Sequence, residues 1–178
     1  ILQSQYIGDL KNWETFSFYT ESLDRFRRLF RFTPSVLACD MHPDCLSSQE
    51  AERVAARTGL PLLKIQHHHA HAAACMLEYG LHEKVVAIVL DGTGLGDDGK
   101  VWGGEFFLCD CKEYRRLSHF EYVPLPGGDK AAVEPWRMAV AYLWHYWGDS
   151  ACFPEGFSER VGADKIRLLM TMMERGVN

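Results

Sequence analysis

Four of the chain's eight histidines fall within five positions, in Gln66-His67-His68-His69-Ala70-His71. A short apolar run, Pro61 to Ile65, precedes them and alanine-rich sequence through Met76 follows, the pattern of a strand feeding a helix. On a helix, His67 and His71 stand one turn apart on one face. Two imidazoles so placed can share one divalent metal ion. Spacing alone leaves His68 with His71 open as the converging pair. A second apolar strand, Val85 to Leu90, ends in Asp91-Gly92-Thr93-Gly94. An acid followed by glycines at a strand end suits a metal or phosphate site, and we expect both strand ends to face one cleft. Read as a turn between antiparallel strands, Asp91 to Gly94 would offer bare N–H groups and a hydroxyl to phosphate oxygens. Gly127-Gly128-Asp129, before a helix, could present further N–H donors and the helix dipole to the same anion. Glu105, in Trp102-Gly103-Gly104-Glu105, either lines that cleft or is an exposed strand residue. Arg137 pairs with an acid or a phosphate, or sits on the surface.

The rest of the composition narrows the class. With 178 residues, 47% hydrophobic and 24% charged, the chain reads as a globular domain or two small lobes. A formal charge of −5 gives no electrostatic case for a nucleic-acid partner. The local basic cluster Arg25, Arg27, Arg28 and Arg31 alternates with Phe26, Leu29 and Phe30, as on a solvated helix face. Six cysteines occur without a Cys-x-x-Cys pair, which points to reduced thiols in a cytoplasmic compartment rather than a zinc ribbon or disulfide framework. Apolar runs are strand-sized, so neither a membrane span nor a signal peptide is expected. The chain begins without Met and stops without closing an element, as an excised piece of a longer protein would.

These residues must be positioned by the elements around them. Asn12 caps a helix whose stripe Phe16, Tyr19, Leu23, Phe26 and Phe30 runs to about Phe32, ended by Pro34. Ser35 to Cys39 reads as a buried strand, and Asp40-Met41-His42-Pro43 as a loop that either touches a ligand or simply turns. Ser47 or Ser48 caps a helix ending at Gly59. Strand Pro61 to Ile65 and the histidine helix to about Tyr79 complete an α/β lobe with parallel strands, residues 1–82. In residues 83–178, strands Val85 to Asp91, Val101 to Leu108 and Tyr114 to Tyr122 form an antiparallel meander. A helix from about Lys130 to Trp147, or from Pro135, and an amphipathic segment Ala163 to Glu174 follow.

Several stretches together resemble the HypF carbamoyltransferases, the family that matures NiFe hydrogenases. They are His67 to His71, Asp91 to Gly94 with Trp102-Gly103-Gly104-Glu105-Phe106, Pro124 to Asp129, Glu134-Pro135-Trp136-Arg137-Met138-Ala139, and the strand end Asp40 to Pro43. The resemblance covers about Ser4 to Trp144 and lies in that family's carboxy-terminal domain, which is similar to the tRNA threonylcarbamoyl transferase subunit. It implies an α/β fold of the actin/Hsp70/sugar-kinase kind, two RNase H-like lobes with each lobe incomplete here. It implies that His67, His71 and Asp91 bind a divalent metal, zinc or iron, and that Gly92, Thr93 and Gly94 form a phosphate loop. It also implies a carbamoyl-adenylate, made from carbamoyl phosphate and ATP in a neighbouring domain. The carbamoyl group would pass to the C-terminal cysteine of a HypE-like partner, as a precursor of the cyanide ligands. Asp91 and Glu105 are the expected catalytic acids.

Two alternatives stand beside this one. The first is an O-carbamoyltransferase acting on a small-molecule hydroxyl, which shares the His-x-x-x-His helix and Asp-Gly strand end. The second is a non-catalytic fragment that binds metal, a partner, the remaining domains of its own polypeptide, or a second copy through unpaired strand edges.

Overall fold

A computed structural model describes residues 2–177. Helix α1 (Trp13–Leu29) starts where Asn12 accepts the Thr15 N–H at 2.8 Å. It ends before Arg31, which adopts positive φ, and so falls short of the expected Phe32. Strand β1 (Leu37–Asp40), helix α2 (Leu46–Thr58), strand β2 (Leu62–Ile65) and helix α3 (His67–Glu78) follow in the expected order. β1 and β2 pair in parallel with Asp40 opposite Ile65, so their carboxyl ends lie side by side. Neither serine caps α2. Cys45 holds the cap position without a side-chain bond, and buried Ser48 donates instead to the Asp40 carbonyl at 2.9 Å. Gln66 caps α3 by accepting the His69 N–H at 2.9 Å.

The second sheet is the antiparallel meander of β3 (Val85–Leu95), β4 (Val101–Cys109) and β5 (Tyr114–His119). β3 corrects the sequence reading. Asp91-Gly92-Thr93-Gly94 is no turn between strands. The strand runs on to Leu95 through an irregularity in register between Leu90 and Gly94, and the reversal lies at residues 96–100. A bulge absorbs unpaired residues and re-aims side chains, which places Asp91 as a turn would not. β5 stops short of Tyr122.

The long helix expected from Lys130 to Trp147 is two, α4 (Asp129–Val133) and α5 (Pro135–Trp147). Pro135 has no N–H and disfavours helical backbone in the residue before it, so Glu134 leaves the helix at φ −119°, ψ 79°. A 3-10 turn at Ser150–Cys152 and helix α6 (Phe157–Val161), neither read from sequence, precede α7 (Ala163–Glu174).

Two apolar cores result. Ala72 and Met76 of α3 pack on Val89, Trp102, Phe107 and Cys109 of the meander, which fixes the histidine helix against the second sheet. Val140 and Ala141 of α5 close on Phe153, Ile166, Leu169 and Met173. The other face of β3 leaves Val86, Ile88 and Leu90 each more than 60% exposed. Among the described residues no helix is long and apolar enough to cross a membrane.

Candidate metal centre

Three ligand atoms converge where α3 meets β3. His67 Nε2 lies 3.2 Å from His71 Nε2 and 2.8 Å from Asp91 Oδ2, and His71 Nε2 lies 3.8 Å from the same oxygen. A tetrahedral ion with bonds of about 2.0–2.1 Å sets its ligands roughly 3.3 Å apart, so these separations bracket the requirement. The sequence reading of His67, His71 and Asp91 as one group is what the geometry brings together.

The protonation pattern sharpens this. His67 Nδ1 lies 2.6 Å from Asp40 Oδ2. A carboxylate only accepts, so Nδ1 carries a proton, and in the neutral ring Nε2 is then the free lone pair. The approach of His67 Nε2 to Asp91 Oδ2 does not have hydrogen-bond geometry. Asp91 Oδ2 is buried and has no hydrogen-bond partner. Two ring nitrogens beside a buried orphan carboxylate oxygen are the arrangement expected of a ligand set for a cation. The residues present fit a divalent metal ion.

The other two histidines are turned to different work. His69 sends Nε2 to the Asp110 carbonyl at 2.7 Å and stacks near Tyr114. His68 is fully buried, with Nδ1 against Gln66 Nε2 at 3.2 Å and Nε2 unpartnered 3.7 Å from Asp91 Oδ2. Burial lowers its pKa, partly offset by the Asp91 charge, so the ring stays neutral. Gly94 closes the wall. A Cβ there would sit 2.6 Å from His68 Cε1 and 2.8 Å from His67 Cδ2, so the strand backbone lies directly on both rings.

Of the remaining expected residues, Gly92 and Glu105 share one groove with Asp91. The Gly92 N–H donates to Asp91 Oδ1 at 2.6 Å and Thr93 is exposed. Glu105 lines a groove of about 610 Å³ together with Asp91, Gly92, Tyr122, Ala132 and Tyr142. Its carboxylate is buried and already committed, receiving Arg116 Nε at 2.6 Å and the Gly103 N–H at 3.3 Å. The Arg116 guanidinium lies 3.9 Å over the Trp102 ring, which packs near His68. Gly127 and Gly128 both take positive φ at the start of α4. The five-residue α4 carries little dipole, and the Gly128 N–H is spent on the Leu125 carbonyl. Arg137 pairs with Glu134 at 2.5 Å and reaches the Pro126 carbonyl, so the acid-pairing reading of Arg137 holds.

Sequence reasoning underrated Asp40. It was legible only as a strand-end acid before His-Pro, where its Oδ1 does make the ordinary turn contact to the His42 N–H at 2.8 Å. The signal that could have found it is topological. In a parallel pair, residues just past adjacent carboxyl ends share one rim, where ligands of open α/β sheets collect.

Residues 87–178 match the model described as the carbamoyltransferase Kae1-like domain, second subdomain, and residues 1–78 match the HypF Kae1-like domain. The chain belongs to the HypF family. It is 42% identical over 167 residues to carbamoyltransferase HypF2 of Cupriavidus necator, covering 94% of this chain and 21% of that one. It is 41% identical over its whole length to a carbamoyltransferase HypF homolog of the same organism, covering 45% of that relative. A crystal structure of full-length HypF in the phosphate- and nucleotide-bound form superposes with a TM-score of 0.80 at 40% identity, over 98% of this chain and 22% of that one. The T. kodakarensis HypF structure gives 0.78 at 32% identity, over 98% of this chain and 24% of that one. The mixed α/β fold expected from sequence is the fold of these proteins, and the chain spans between a fifth and a half of the curated relatives named here.

Proposed function

We propose that this chain supplies the metal-holding part of a carbamoyltransferase of hydrogenase maturation. The acceptor is a cysteine thiolate at the C-terminus of a HypE-like partner, and the donor is a carbamoyl-adenylate formed from carbamoyl phosphate and ATP. Sulfur attacks the carbamoyl carbon, the carbon–oxygen bond to phosphate breaks, and AMP leaves with that electron pair. A divalent ion, zinc or iron, held by His67, His71 and Asp91 would supply Lewis-acid neutralisation of the phosphate when bound. The convergence of the His67 and His71 ring nitrogens on an orphan Asp91 carboxylate oxygen carries this reading.

The chain's own groups have distinct tasks in it. Asp91 completes the ligand set from the bulged strand. The Gly92 N–H is held by Asp91 Oδ1, and the exposed Thr93 backbone and hydroxyl are the groups that would approach phosphate oxygens beside it. Helix α4, which opens after Gly127 and Gly128 at Asp129, reaches the groove beside Asp91 through Ala132, whose Cβ lies 3.7 Å from where a Gly92 Cβ would stand. Glu105 acts through Arg116 and Trp102 on the wall behind His68, as a positioning acid. The two lobes divide near residue 82. The apolar face of Val86, Ile88 and Leu90 suits cover by further domains of the same polypeptide. Reduced cysteines suit a cytoplasmic setting.

The test is a chimera of the Cupriavidus necator HypF2 protein in which this chain replaces the matched segment. Given carbamoyl phosphate, ATP and metal, it should carbamoylate a peptide ending in cysteine, and His67→Ala should abolish transfer. Transfer to small hydroxylated acceptors but not to the peptide would replace this reading with the O-carbamoyltransferase one.

A further inference from the structure

Asp40 touches the candidate metal centre without being one of its ligands. Its backbone is held at the end of β1 by pairing with β2 and by the Ser48 hydroxyl on its carbonyl. Its carboxylate is divided, Oδ1 receiving the His42 N–H at 2.8 Å and Oδ2 receiving His67 Nδ1 at 2.6 Å. The side chain is only 23% exposed and that of His67 31%, so little water competes for the bond.

We propose that Asp40 is a positioning residue. It locks His67 in the Nδ1–H tautomer, aims the Nε2 lone pair at His71 and Asp91, and thereby sets the affinity of that site for a divalent cation. This rests on the metal reading above. A carboxylate behind a ligating imidazole fixes ring orientation and raises the basicity of the far nitrogen, and its loss commonly weakens metal affinity 10–100-fold. No other side chain contacts His67 Nδ1 among the described hydrogen bonds. His71, by contrast, makes only the Nε2 contact to His67 among the described hydrogen bonds, so the preorganisation of the site resides in one ring.

Asp40→Asn separates positioning from turn-making. The asparagine carbonyl can still accept the His42 N–H, so the turn survives. Its amide then faces His67 Nδ1 as a donor, which moves the ring proton to Nε2 and buries the ligand lone pair under it. Two readouts are taken on the 178-residue chain. Zinc affinity is measured by competition with a chromophoric chelator, and the His67 tautomer is read from imidazole nitrogen-15 shifts in the metal-free protein. We expect Asp40→Asn to weaken zinc binding about 10–100-fold and to invert the tautomer, with the thermal midpoint held. Wild-type affinity with an unchanged tautomer in the variant would overturn the role of Asp40 and leave the metal site standing. A wild-type chain that binds no zinc would overturn the metal reading, and this role with it.

Discussion

Gly94→Ala tests the site through its wall rather than its ligands. Gly94 has an ordinary negative φ, so an added methyl brings no backbone strain and the outcome is steric. Its Cβ would stand 2.6 Å from His68 Cε1 and 2.8 Å from His67 Cδ2. Comfortable carbon–carbon contact is about 3.5–4.0 Å, so one or both rings must retreat by roughly 1 Å. Neither has room. His68 is fully buried between Gln66 and Trp102, and His67 is held by Asp40 on one side. Overpacking of this kind costs about 1–3 kcal/mol, or about 2–12 °C in thermal midpoint for a chain of this size. Metal geometry tolerates about 0.2 Å, so a 1 Å shift of His67 should weaken zinc binding by more than about 100-fold. The control is Gly99→Ala, at φ +74° with open space around it. It should lose about 1 kcal/mol through left-handed backbone and bind zinc as the parent does. Urea titrations with and without zinc, plus chelator competition, decide the matter. A Gly94→Ala chain with parental zinc affinity would refute the claim that the strand backbone holds the rings in place.

Glu105→Gln should destabilise the chain by about 3 kcal/mol in urea titration, because Arg116 loses its buried charge partner and keeps only Asp98, at 3.6 Å, as a carboxylate beside its neutral contacts to Tyr122 and Trp102. Zinc affinity of the folded fraction should be retained; unchanged stability would contradict the positioning role of Glu105. In the metal-free chain, His68 has a folded pKa below the ordinary value of about 6.5 because burial disfavours its charge. The unfolded chain then binds the extra proton first, so stability is intact above about pH 6.5 and is lost below it, by up to about 1.4 kcal/mol per pH unit. Thermal melts from pH 7.5 to 5 should show a shallower acid slope for His68→Gln, and an identical slope would count against a buried neutral His68.

How much was legible follows from how local each signal is. The convergence of His67 and His71 on α3 was readable because a helix repeats its face every turn, and three-plus-one histidines on it leave few arrangements. Asp91 was readable as an acid ending an apolar run. The strand through Gly92-Thr93-Gly94 was not, because a bulge depends on its partner strand, and here β4 supplies the register with Trp102 opposite Gly94. Asp40 was readable as a strand-end acid that touches a ligand or turns, but its bond to His67 was hidden for the same reason. Its partner His67 lies in another element, and only the parallel pairing of β1 with β2 brings the two to one rim. Glu105 looked like a free strand acid because Arg116 stands on the next strand over, invisible to any periodicity within β4. The break at Glu134 was half visible, since Pro135 marked a helix start without saying that a separate turn of helix preceded it.

The most direct measurement is anomalous diffraction from crystals of the chain soaked with zinc. One peak is expected per chain, about 2.0–2.2 Å from His67 Nε2, His71 Nε2 and Asp91 Oδ2, and absent from His71→Ala crystals. Density elsewhere, or a peak that persists when His71 is removed, would contradict the site on which the transferase reading stands.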